Sequence, residues 1–158
     1  MSKISLVRVA LGGLLAGVVL TVLHYVLNGP ILGDQWAAAT ESLGRGIPEG
    51  AGVMILVHHI GHVTWNFVIW NFLMGIALVW FYAAVRPRFG PGPKAAVIAG
   101  LAVWFVVWLL GFGGTLLAGM IPTSGVAITL IWGLFQVPIA TVAGAWLYQE
   151  GGARAPAA

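Results

Sequence analysis

Residues 4–27 read ISLVRVALGGLLAGVVLTVLHYVL. The run holds one full charge, Arg8 near its start, and only small, hydroxyl or apolar side chains from there to His24. A soluble helix turns one apolar stripe inward and the rest to water, so apolarity around the whole circumference calls for lipid or a large protein interior. A hydrocarbon core about 30 Å thick needs roughly 20 apolar residues in helical form, and this run supplies them. A signal-peptide core is about 7–15 residues long and ends at a small-x-small cleavage site. This run is longer and no such site follows it, so it reads as a retained anchor.

Working outward, three further stretches qualify: about Val63–Val85, Ala95–Ala118 and Val126–Tyr148. The expected fold is therefore all-α, an integral membrane four-helix bundle forming a single transmembrane domain over residues 1–158. Composition agrees. Of 158 residues, 60% are hydrophobic and 7% charged, where a soluble domain carries roughly a quarter charged; the chain could not cover a water-facing surface. The 23 glycines and 8 tryptophans fit membrane helices and their interfaces. The absence of cysteine excludes disulfide exchange, thiolate catalysis, iron–sulfur clusters and thiolate zinc sites. A formal charge of +3 is no sign of nucleic-acid binding, because the cations sit at helix ends and not in a patch.

If four helices cross in sequence, Lys3, Arg8, Arg86, Arg88, Lys94 and Arg154 fall on one side and only Arg45 on the other. By the positive-inside rule both termini are expected in the cytoplasm. Trp80, Tyr82, Trp146 and Tyr148 would mark the inner interface, Tyr25 and Trp65 the outer one.

The outer loop and interfacial segments, residues 28–62, carry Asp34, Glu41 and Glu49. Asp34 can cap a short interfacial helix with Trp36, Ala39, Thr40 and Leu43 on one side, ended by Gly44 and Gly46. Pro48 can open the next helix, and nothing forces a stop before Arg86. A continuous helix there would be about 55–60 Å long, nearly twice the hydrocarbon thickness. It must tilt and project outward, or break, with Gly61 as the candidate hinge. IALVWFY (76–82) and VAGAWLY (142–148) close the second and fourth helices alike. A tandem pair of hairpins explains this, as would two helices ending independently in an aromatic belt.

All four histidines, His24, His58, His59 and His62, fall toward the outer face. On the second helix His58, His59, His62, Asn66 and Trp70 share about a third of the circumference. On the first, Thr21, His24 and Asn28 do the same at similar depth. Three readings compete. His58 and His62, at i and i+4, with His59 and Glu49 (or His24, Asp34, Glu41) could hold a divalent metal. His24 and His62, with Asn66 beside them, could ligate a haem or chlorin between two helices. Or interfacial histidines simply bond headgroups, carbonyls and water.

No carboxylate lies within a span, which argues against proton-coupled antiport through an embedded acid. Gln136, beside Pro138 and on about the same face as Thr129 and Trp132, is a candidate intramembrane polar contact: a bond across the bundle, or the lining of a solute pocket. Ser124 lacks a nucleophile-elbow setting, so serine hydrolysis is not expected. Gly13-Leu-Leu-Ala-Gly17 is a GxxxG step allowing close helix approach within the bundle or in a dimer.

The segments GDQWAAA (33–39), RPRFGPGPK (86–94) and AWLY (145–148) resemble those of a group of bacterial four-helix membrane proteins of no assigned function. The resemblance, spanning nearly the whole chain, implies a bacterial inner-membrane protein and transfers no catalytic residue. The expected role is non-enzymatic, a structural or accessory component in lipid, as a homo-oligomer or beside other membrane subunits. The alternatives are a haem-, chlorin- or metal-binding protein with its site at the outer leaflet, and a small-solute carrier or channel.

Overall fold

The computed structural model describes residues 4–34, 51–117 and 123–150, with side chains described for 4–34, 65–114, 117 and 123–148. Among them there is no strand. Helix α1 (Leu6–Val26) continues as a π-helical turn over Leu27–Ile31. Helix α2 spans Ala51–Phe89. The third helix, α3, is α-helical over Pro93–Val103, π-helical over Trp104–Leu110 and α-helical again over Gly111–Leu117. Helix α4 spans Thr123–Glu150. All four are long and apolar enough to cross a bilayer, and each turns large apolar side chains outward: Leu11 and Val18, Ile69 and Leu73, Leu101 and Phe105, Ile131 and Phe135. Apolar exposure on every helix suits lipid as the surrounding medium. The chain is a multi-pass, membrane-type helical bundle.

Where helix ends differ from the sequence expectation, proline and glycine explain it. The first helix passes Leu27 because Pro30 has no N–H to give; the turn widens, and the Leu32 amide bonds the Leu27 carbonyl at 2.9 Å. Helix α2 runs unbroken for 39 residues, about 58 Å, so its hydrogen-bonded course is not interrupted at Gly61. It also passes Pro87 to end at Phe89, making the basic turn shorter than residues 86–94. Pro87 lies in the last turn and costs one bond there, while the Gly90 amide still reaches the Arg86 carbonyl at 2.9 Å. The chain then reverses through Gly90 (φ 79°) and Gly92 (φ 127°), conformations open to glycine and costly for other residues. The expected interfacial helix over residues 34–43 falls almost wholly outside the described residues.

Between helices in lipid, close van der Waals approach replaces the hydrophobic effect as the main attraction, and glycine and alanine make that approach possible. Helix α1 packs on α2 and α4, and α3 packs mainly on α4. At the α1–α2 seam a Cβ on Gly13 would lie 2.5 Å from the Ile76 Cα, and one on Gly17 would lie 2.8 Å from the Phe72 Cα. A methyl on Gly75 would run into the Gly13 carbonyl and the Gly17 amide. On α4, Gly144 meets Gly12 the same way, a Cβ on Gly12 falling 2.6 Å from the Gly144 carbonyl oxygen. The GxxxG step is thus spent inside the bundle.

An internal correspondence runs through the four helices. Gly12, Gly13, Ala16 and Gly17 are buried on α1; Ala95, Ala96, Ala99 and Gly100 are buried on α3 at the same spacing. Gly17 abuts Phe72 of α2, and Gly100 abuts Pro138 and Thr141 of α4. At the far ends Trp80 and Trp146 are exposed, whereas Tyr82 and Tyr148 are buried. Independent anchoring in an aromatic belt accounts for the tryptophans alone. The tyrosines do not mark the interface; they meet edge to face inside, centroids 5.9 Å apart. Paired hairpins, α1–α2 and α3–α4, account for the whole pattern.

Candidate functional site

Polar groups lie at three depths. At the end away from the basic turn, the half-buried His24 ring packs against Phe67 of α2, centroids 5.2 Å apart and planes tilted by 42°. The rest of the polar stripe on the first helix is satisfied by its own backbone: Thr21 Oγ1 donates to the Gly17 carbonyl at 2.8 Å and Asn28 Nδ2 to the His24 carbonyl at 2.9 Å. Each such i→i−4 bond satisfies one donor within its own helix. On α2, Asn66 and Trp70 are exposed, so α1 is faced at this depth by Phe67 and not by Asn66. The side chains of His58, His59 and His62, and all of Glu49, lie outside the described residues. Among the described residues no three His, Cys, Asp or Glu side chains are grouped to hold a metal.

At mid-bundle the buried Gln136 donates from Nε2 to the Leu20 carbonyl at 3.3 Å, joining α4 to α1. Thr129, expected on the same face, instead turns its hydroxyl to the Gly125 carbonyl at 2.8 Å. Trp104 Nε1 donates to the Leu130 carbonyl at 3.1 Å, and Trp108, one turn on, fills the space over Gly133. The π-helical stretch carries both indoles onto α4. Trp132, one turn from Gln136, has the one buried side-chain nitrogen without an acceptor among the described residues, at a cost of about 1–3 kcal/mol. Sequence reasoning missed Asn71, only 5% exposed. An amide in the middle of an apolar span was the available signal, but Asn71 lies outside the His–Asn66–Trp70 stripe.

At the basic end, the Tyr82 hydroxyl accepts a hydrogen bond from the Gly92 amide at 3.3 Å, pinning the α2–α3 turn to the core. The Arg86 guanidinium carbon stands 5.7 Å from the Tyr148 ring centroid, a cation–π contact worth about 0.5–2 kcal/mol. Arg8, Arg88 and Lys94 are exposed nearby on the same end.

Compared with protein-family models, curated proteins and solved structures, the chain matches none of them.

Proposed function

We propose that this protein is a non-catalytic accessory component of a membrane assembly, set in a bacterial inner membrane with its basic end and both termini in the cytoplasm. The observation that carries the reading is the length of α2. At 39 residues and about 58 Å it exceeds the roughly 30 Å hydrocarbon layer. With its inner end tied to the basic turn, some 20 Å or more of helix is left for a partner at the outer surface. The close-packed glycine seams suit a rigid holder for that helix. Blue-native electrophoresis of gently solubilised membranes tests this. The chain, 16.6 kDa by itself, should migrate within a larger assembly, and deleting residues 51–62 should release it. A wild-type chain that runs alone would overturn the reading.

The second reading, a haem, chlorin or metal site at the outer leaflet, draws support from the half-buried imidazole of His24 within a span. His24, His58, His59, His62 and Glu49 would supply its ligands. An absorption spectrum with elemental analysis separates the two readings: a stoichiometric chromophore or metal, lost in both His24→Ala and His62→Ala, would replace the accessory role by the cofactor role.

A further inference from the structure

We infer that the end of the bundle around the α2–α3 turn is a docking surface for anionic phospholipid, with the phosphate held by Arg88 and Lys94 and the acyl chains lying on the flanks of α2 and α3. The cations are held in place, not strewn on a loose loop. The bond from the Gly90 amide to the Arg86 carbonyl and the bond from the Gly92 amide to the Tyr82 hydroxyl fix the backbone that carries them. Arg86 is turned inward over Tyr148, which leaves the exposed Arg88 and Lys94 on either side of the turn and Arg8 at the start of α1. Asp34 stands at the opposite end of α1, while Glu150 closes α4 at the basic end with its side chain outside the described residues.

Directly beneath the charges the surface is apolar. Phe89 is 45% exposed and Trp80 50%, with Val97 and Leu101 outward on α3. A soluble phosphate would use the cations alone, while a lipid uses both parts: guanidinium and ammonium for the headgroup, tryptophan at the interface depth and aliphatic side chains for the tails. Net negative charge then separates phosphatidylglycerol, which gains from each nearby cation, from zwitterionic phosphatidylcholine.

The inference goes beyond the accessory role but shares its membrane premise. The test is full-length protein in nanodiscs of equimolar phosphatidylglycerol and phosphatidylcholine, released gently, with retained lipids counted by native mass spectrometry. Wild type should keep phosphatidylglycerol over phosphatidylcholine by about threefold or more. The ratio should fall toward one in Arg88→Gln/Lys94→Gln, stay put in Asp34→Asn, and decline for wild type as salt rises to about 0.5 M, where surface charge is screened. A bulk ratio in wild type, or a ratio indifferent to salt, overturns the inference even if the double variant proves unstable. So does an equal change in Asp34→Asn. Failure of the chain to enter discs at all would overturn the membrane premise and the inference with it.

Discussion

At the scale of single residues, the glycines divide into those that hold helices together and those that do not. Gly75 inserts between Gly13 and Gly17, whereas Gly111, Gly113 and Gly114 have nothing within 4 Å of an added Cβ. Gly75→Ala must push two backbones apart and should cost about 1–3 kcal/mol. Gly111→Ala meets open space and should be neutral or stabilising, because alanine is the better helix former. Thermal unfolding in mild detergent reads both, and equal midpoints for the two variants would count against the seam. The GxxxG step was visible in the sequence, but its partner was not. One chain shows which residues permit close approach, never which surface arrives. Gln136 was legible as an intramembrane amide for the same reason that its acceptor, the Leu20 carbonyl, was not: every residue has a carbonyl, and only the fold selects one. Asn71 lies off the face that carries Asn66 and Trp70, so the periodicity of that stripe gives no sign of it.

At the scale of elements, the alternation of tryptophan and tyrosine at the ends of α2 and α4 has different consequences for each. Residues two apart on a helix lie about 200° around its axis, so Trp80 and Trp146 facing lipid put Tyr82 and Tyr148 in the core. That geometry was implicit in the spacing, yet both types are interfacial by habit, which concealed the split. Tyr82 then does what phenylalanine could not, accepting the Gly92 amide. Tyr82→Phe keeps the edge-to-face packing on Tyr148 and strands that amide, costing about 1 kcal/mol. Hydrogen exchange should show a faster Gly92 amide with little change in the α1 seam; an unchanged Gly92 rate would mean the hydroxyl does not hold the turn. The π-helical turn at Leu27–Ile31 was foreshadowed by Pro30. The longer one at Trp104–Leu110 has no such marker, since it serves to bring Trp104 and Trp108 against α4, a demand set by the neighbour and not by local propensity.

At the scale of the molecule, the small-residue stripes and the paired tyrosines describe two hairpins that pack each on itself and then on the other. The α1–α2 and α3–α4 seams are internal to the hairpins. The contacts that join them are Gly12 with Gly144, Gln136 with the Leu20 carbonyl, Tyr82 with Tyr148 and Arg86 over Tyr148. The connection between hairpins is only Gly90 to Gly92, and its role is to close a loop whose entropic value is modest beside such packing. Membrane helices also form before they associate, because each satisfies its own backbone in lipid. Residues 1–90 and 91–158, made as separate chains in the same cell, should therefore assemble and co-purify. Gln136 donates across the join from the middle of the bundle, so Gln136→Leu should weaken the split protein more visibly than the intact one, where the connection keeps the halves at high effective concentration. Recovery of each half alone would show instead that the turn, and the Tyr82 bond that pins it, is what makes one bundle of the two hairpins.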